Sequence, residues 1–188
     1  MEVATIAKSV QIPDVFLEAI STGMDRDKSI IVYYSLSGHT ERVARMIQSR
    51  TGFDIVHIAT IEPYEQRAHS AMSFHEHANL EVKNEYTPLI FLPVDGLKDY
   101  GRVVLCTPTW CERVPPPVLT FLRTYSFAGT VLVPVQTYTD NPGEVMRQIE
   151  FEAQCAYVRH PLKVQFSPDN GRMVMPKYEL YKWVDSIL

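Results

Sequence analysis

Residues 29–47, SIIVYYSLSGHTERVARMI, join an apolar strand-type run to an amphipathic helix through one short, hydroxyl-rich turn. The turn reads SLSGHT at positions 35–40, and apolar residues then recur at helical spacing. A turn of this kind presents free backbone N–H groups, hydroxyls and the positive end of the helix dipole, which together bind a phosphate. The segment therefore predicts a phosphate site where a first strand enters a helix.

Two common nucleotide-binding motifs are missing from this turn. A P-loop requires G-x-x-x-x-G-K-[ST], whereas Gly38 is followed here by His39 and Thr40. A dinucleotide fingerprint requires G-x-G-x-x-G, whereas this turn holds a single glycine. What remains, S-x-S-G-x-T, suits one terminal phosphate. The alternative interpretation is an ordinary helix start with Ser37 or Thr40 as the N-cap.

Strand-type and helix-type segments alternate along the rest of the chain. We predict strands at 30–34, 54–58, 103–106, 130–135 and 162–166, and helices at 40–50, 116–125, 143–156 and 177–188. This alternation implies parallel pairing with right-handed crossovers. The predicted fold is α/β: a three-layer, doubly wound, five-stranded parallel sheet of order 2-1-3-4-5, formed by residues 29–188 and preceded by an N-terminal arm, residues 1–28.

A second loop is expected at the same edge of the sheet as the phosphate turn. Residues 106–122 read CTPTWCERVPPPVLTFL, and Trp110 on this proline-stiffened loop offers a flat apolar face for an aromatic ring. The alternative is a tryptophan that covers the core. Cys111 is interpreted either as a reactive thiol or as a packing residue. Arg113 is either a cation at the mouth of the pocket or a solvated loop residue.

Both segments resemble the flavodoxin family. The turn matches [ST]-x-[ST]-G-x-T, and the second loop resembles G-x-P-x-W-x-x-x-x-P-P-x-x-x-x-F-L of one flavodoxin branch. A further partial match is the branch's T-x-x-P-Y … E … P spacing, which here falls on Thr60, Pro63, Tyr64, Glu81 and Pro88.

The third flavin loop departs from that branch. Its pattern there is T-x-G-G-S, and here Thr137 matches the threonine whereas Thr139 and Asp140 replace the glycines. Glycines allow close backbone approach and positive φ. Their replacement implies a different loop path, with Tyr138 stacked on or shielding the other face of the flavin.

The resemblance implies FMN as the cofactor. The residues it places at the cofactor are Ser35, Ser37, Gly38, His39, Thr40, Thr107, Pro108, Thr109, Trp110, Cys111, Thr137, Tyr138, Thr139 and Asp140. No catalytic side chain is expected, because the flavin carries the chemistry. No metal site is expected from His69, His75 and His77, because the last two are only two positions apart and diverge on a helix.

The predicted function is electron transfer by an FMN-binding flavoprotein. The net charge of −4 over 188 residues argues against nucleic acid as a partner and is mild for a protein carrier. It favours an FMN-dependent oxidoreductase over a carrier, with NAD(P)H or a redox protein as electron donor and a small molecule such as a quinone, or a protein, as acceptor. The alternative function is a binding or interaction module of this fold that does not use flavin.

Location and assembly follow from what the sequence lacks. No segment approaches the roughly 20 apolar residues that span a bilayer, and the N-terminus does not have the pattern of a secretory signal. Three cysteines form no disulfide framework. We therefore expect a cytoplasmic protein, and both a monomer and a homodimer are compatible with the sequence.

Overall fold

The computed structural model describes residues 28–64 and 74–188. The predicted N-terminal arm lies outside these residues except for Lys28, and so does His69. The strands in chain order are β1 (Ser29–Tyr33), β2 (Asp54–His57), β3 (Ala59–Thr60), β4 (Ile90–Phe91), β5 (Arg102–Pro108), β6 (Val131–Tyr138), β7 (Tyr157–Val158) and β8 (Leu162–Gln165). The helices are α1 (His39–Thr51), α2 (Phe74–Lys83), α3 (Pro116–Thr124), α4 (Val145–Glu152) and α5 (Lys177–Ser186).

The main sheet is parallel, with strand order β2-β1-β5-β6-β7, and β8 also pairs with β6. The short pair β3–β4 is antiparallel and forms a separate two-stranded sheet. When that pair is set aside, and β7 and β8 are taken as one position, the order is 2-1-3-4-5. The predicted α/β fold and its sheet order are therefore confirmed.

The fifth position of the sheet is split, although we predicted a single last strand at 162–166. The segment β7 pairs with Val131 and Leu132, and β8 pairs with residues 135–138 farther along β6. Between them lie His160, with a φ of 50°, and Pro161, which has no N–H to donate to a ladder. The strand is interrupted there and resumes in the same direction.

Apolar side chains of the central strands alternate between two cores. Ile30 and Val32 belong to one cluster of buried residues, whereas Ile31 and Tyr33 belong to the other. Helices α3 and α4 pack into the first cluster, and helices α1 and α5 pack into the second. Strands that are buried on both faces read as continuous apolar runs, which explains why the sequence identified them well.

His57 adjoins this core, and it gives the fold a titratable group. Its ring lies 5.0 Å from the Tyr33 ring and 6.2 Å from the Tyr34 ring, between centroids. Burial lowers the pKa of the imidazole, and nearby Glu41 partly opposes that shift. The folded state therefore resists protonation of His57 more than the unfolded state does.

We predict that His57 contributes to loss of stability in acid. Because its folded pKa is depressed, its contribution is fully present above the ordinary histidine pKa of about 6.5 and is lost as the pH falls through the folded pKa. The variant His57→Phe keeps an aromatic ring without a titrating group. Its free energy of unfolding, measured by urea denaturation at pH 7, 6 and 5, should fall less steeply than that of the native protein.

The matched control is His160→Asn, which removes an exposed imidazole and suits the positive φ at that position. An equal change of pH dependence in both variants would contradict the role assigned to His57.

Candidate functional site

Three loops leave the carboxyl-terminal edge of the sheet next to one another. The first loop, residues 34–38, follows β1; the second loop, residues 109–115, follows β5; and the third loop, residues 139–144, follows β6. In a doubly wound sheet this edge is where ligands bind. The predicted site residues lie on these loops, at the strand ends that precede them and at the start of α1.

The first loop leads into α1, whose N-terminus has no side-chain cap among the described residues. Gly38 is the N-cap of α1 in the left-handed conformation, with a φ of 86°, and no side chain within the described ranges caps the helix. Its amide donates to Ser35 Oγ over 3.1 Å, and the first intrahelical bond runs from Arg42 N to Gly38 O over 2.9 Å. The interpretation of Ser37 or Thr40 as a cap is therefore wrong. The first amides of α1 remain available to an anion.

Thr40 holds this helix start against the end of β6. Its Oγ1 lies 2.7 Å from Oγ1 of Thr137, and both residues are buried. The two positions are 97 residues apart in sequence. The hydroxyl of Thr40 is thus engaged in a contact between the first loop's helix and the strand that leads to the third loop.

The side chain of His39 packs against the segment that follows β8. Its ring stacks on Phe166 with centroids 4.4 Å apart and an interplanar angle of 12°. A Cβ on Gly171, whose φ is 63°, would lie 3.1 Å from His39 Nε2. This close approach fixes the imidazole beside the helix start.

The second loop contains a tight two-residue turn. Trp110 N donates to Arg113 O over 3.0 Å, and Arg113 N donates to Trp110 O over 2.9 Å. The two residues between them, Cys111 and Glu112, have φ values of 47° and 65°. Consecutive left-handed residues that are not glycine are costly, and such strain concentrates at functional sites.

Trp110 is positioned by an aromatic cluster. Its ring meets the Tyr34 ring at 5.6 Å and 70°, and the Tyr64 ring at 5.1 Å and 86°. The hydroxyl of Tyr64 donates to Glu81 Oε2 over 2.7 Å, and His77 Nε2 lies 3.1 Å from Glu81 Oε1. The Tyr64 and Glu81 of the T-x-x-P-Y … E spacing therefore form a hydrogen-bonded support beneath the indole.

The third loop is docked onto the second. Glu144 N donates to Glu112 O over 2.8 Å, and Asn141 Nδ2 donates to Glu112 Oε1 over 2.7 Å. Gly143 has a φ of 56°, and a Cβ there would overlap the carbonyl oxygen, Cα and Cβ of Glu112. The positive-φ glycine of this loop thus stands at position 143, although the branch pattern has its glycines at the positions of Thr139 and Asp140.

Two neighbouring cavities lie between the loops. The smaller has a volume of about 110 Å³ and is lined by Ser37, His39, Pro108, Thr109, Trp110, Thr137, Tyr138, Thr139 and Phe166. The larger has a volume of about 600 Å³ and is lined by Ala78, Asn79, Thr109, Trp110, Cys111, Glu112, Thr139, Asp140 and Asn141. A volume of that size falls within the range of about 300–1,000 Å³ that is usual for small-molecule sites.

Ten of the predicted site residues line these cavities, and four do not. Ser35 shapes the turn, Gly38 occupies the N-cap position, Thr40 is paired with Thr137, and Thr107 is buried in β5. The prediction did not include five lining residues: Ala78, Asn79, Glu112, Asn141 and Phe166. Phe166 ends a predicted strand and could have been included on that signal, whereas nothing in the sequence points to Ala78 or Asn79.

Cys111 and Arg113 both belong to the second loop but line different depressions of the surface. Cys111 lines the larger cavity, and burial raises the pKa of its thiol, which makes it less reactive. Arg113 lines neither cavity. It lies instead at a different surface depression together with Glu85, Arg123 and Glu144, so it is not a cation at the mouth of this site.

Neither a metal-binding cluster nor a membrane-spanning helix occurs in residues 28–64 and 74–188. They contain no group of three or more histidine, cysteine, aspartate or glutamate residues that could hold a metal ion. Across the same ranges, every helix is too short or too polar to span a bilayer.

We predict that Gly143→Ala lowers the free energy of unfolding by about 2–4 kcal/mol, because it combines a left-handed alanine with overlap at Glu112. Gly52→Ala is the matched control, since Gly52 has a φ of 71° but open space around it. Urea denaturation at pH 7 measures both. Equal losses would show that the docking of the third loop onto Glu112 contributes nothing.

The chain resembles known proteins in sequence and in fold. The model of the family described as Flavodoxin matches residues 28–187. No curated protein matches the sequence. A presumed flavoprotein of Bacteroides uniformis has a TM-score of 0.69 at 15% identity, covering 84% of this chain and 97% of its own.

Two further structures are similar in fold. A presumed flavoprotein of Bacteroides eggerthii has a TM-score of 0.69 at 20% identity, covering 85% of this chain and 97% of its own. A flavoprotein of Lactobacillus acidophilus in complex with FMN has a TM-score of 0.59 at 18% identity, covering 73% of this chain and 92% of its own. The family match spans most of the 188 residues, and the chain therefore belongs to the flavodoxin family.

Proposed function

We propose that this flavodoxin is an electron-transfer flavoprotein that binds FMN between its three loops. One observation supports the proposal most strongly. The N-terminus of α1, which has no side-chain cap among the described residues, and a cavity lined by Trp110 lie together at one edge of the sheet. FMN is the cofactor that family membership implies, and the similar Lactobacillus acidophilus protein was solved in complex with it. When bound, FMN supplies one- and two-electron transfer.

The phosphate end of the cofactor fits the start of α1. The first-turn amides of the helix and the Ser37 hydroxyl offer hydrogen-bond donors, and the helix dipole favours a negative charge there. His39 is fixed beside this position by its stack on Phe166. Thr40 contributes by holding the helix start to Thr137 rather than by lining the cavity.

The ring end fits between the second and third loops. Trp110 lines both cavities and is held in place by Tyr34 and Tyr64, so its indole loses little freedom on binding. Glu112 and Asp140 line the larger cavity with their carboxylates exposed to solvent. Negative charge near the ring disfavours an anionic reduced cofactor and lowers its reduction potential.

We propose a small molecule such as a quinone as the electron acceptor, and NAD(P)H or a redox protein as the donor. The net charge of −4 is mild for a protein carrier, which supports an enzyme over a carrier.

A cytoplasmic location is supported by the cysteines, since Cys106, Cys111 and Cys155 are all unpaired.

A flavin-free binding module of the same fold is the second candidate. It is favoured by the third loop, where Thr139 and Asp140 replace the glycines that allow close approach to a flavin. The two functions differ in one simple observation. The flavoprotein takes up added FMN and becomes yellow, whereas the module stays colourless.

We predict that FMN binds to the native protein and that Ser37→Ala weakens binding about tenfold, because a hydroxyl bond to a charged phosphate is lost. Flavin fluorescence during titration gives both dissociation constants. The matched control is Ser49→Ala, which removes an exposed hydroxyl near the other end of the same helix and should bind FMN as the native protein does. Native protein that takes up no FMN would contradict the proposed function.

We predict that NAD(P)H reduces the FMN-loaded protein directly. Stopped-flow mixing without any reductase should bleach the visible flavin band. If the flavin stays oxidised under these conditions but is reduced when a reductase protein is added, the donor is a protein and the chain acts as a carrier.

A further inference from the structure

One fully buried amide links the second and third loops. Gln136 lies near the end of β6 with no exposed surface. Its Nε2 donates to Thr109 Oγ1 over 2.7 Å and to Pro142 O over 2.5 Å. Thr109 belongs to the second loop and Pro142 to the third, so a single side chain bridges both sides of the larger cavity.

The direction of these hydrogen bonds is fixed by chemistry. The carbonyl of Pro142 can only accept, so the atom that faces it is the amide nitrogen of Gln136. The same nitrogen can only donate to Thr109, whose hydroxyl oxygen therefore accepts. Within residues 28–64 and 74–188, the Thr109 hydroxyl donates to no group, so its proton has no acceptor in that part of the chain. Thr109 lines both cavities.

We propose that Gln136 is a positioning residue that fixes the Thr109 hydroxyl as a hydrogen-bond donor to the FMN ring. The inference rests on the proposed function and deepens it, because it names the donor and the residue that orients it. The rim of the ring carries carbonyl oxygens and a ring nitrogen that accept hydrogen bonds. A hydroxyl held as a donor selects for such an acceptor.

The other half of the amide supports this role. Gln136 Oε1 is buried and has no hydrogen-bond partner within the described part of the chain. An unpaired buried acceptor lowers stability, and an apolar side chain of similar length would avoid that loss. The useful contribution of Gln136 must therefore come from its two donated bonds, which reach the two loops that enclose the ring.

The test is a double-mutant cycle on FMN affinity. Thr109→Val and Gln136→Met should each weaken binding about five- to tenfold, because each removes the oriented donor. The double variant should bind as weakly as Gln136→Met alone, within about twofold, because Thr109→Val acts only through the hydroxyl that Gln136 orients. Thr109→Ser keeps the hydroxyl and should retain native affinity. The visible band of bound FMN should shift in the same direction in the two single variants.

Thermal unfolding of the FMN-free variants separates positioning from stability. Gln136→Met is similar in length and removes the unpaired oxygen, but it also leaves the Pro142 carbonyl without its donor. These two effects oppose each other, so its midpoint should stay within a few degrees of the native value. If it does not fold, the shorter Gln136→Leu takes its place in the cycle.

Several outcomes would overturn the proposal. Multiplicative losses in the double variant, native affinity in either single variant, or a loss in Thr109→Ser equal to that in Thr109→Val would each do so. Native protein that binds no FMN would contradict the proposed function and this inference together. Native binding with unaffected variants would contradict this inference alone.

Discussion

Hydrogen bonds from two adjacent side chains at the end of β6 hold the site together. Thr137 pairs with Thr40 at the start of α1, and Gln136 donates to Thr109 and Pro142. These bonds connect all three loops to one central strand, β6. Because β6 is paired on both sides and buried, it is a rigid base from which to position them.

The loops also depend on one another. The left-handed turn at Cys111 and Glu112 brings the Glu112 carbonyl to Glu144 N, and Gly143 leaves the space that this contact needs. Strained backbone persists only where the surroundings hold it, and here the third loop supplies that support. Docking of the third loop onto the second therefore closes one edge of the pocket. The glycine that permits this contact is Gly143, whereas the branch pattern has its glycines at the positions of Thr139 and Asp140.

The sequence predicted what depends on local pattern. Continuous apolar runs identified the central strands, because strand burial depends on neighbouring residues. S-x-S-G-x-T and the Trp110 loop predicted two loops that line the cavities of the candidate site. The break at Pro161, the partner of Thr40 and the lining by α2 were not predicted. Each depends on residues far apart in sequence, such as the 97 positions between Thr40 and Thr137.

The most direct measurement is a crystal structure of the protein grown with FMN. We expect a phosphate within hydrogen-bond distance of the first-turn amides of α1 and a ring beside Trp110, between the second and third loops. We also expect the Thr109 hydroxyl to contact an acceptor atom of the ring. Flavin bound at another surface, or a ring that leaves Trp110 and Thr109 uncontacted, would contradict the proposed site.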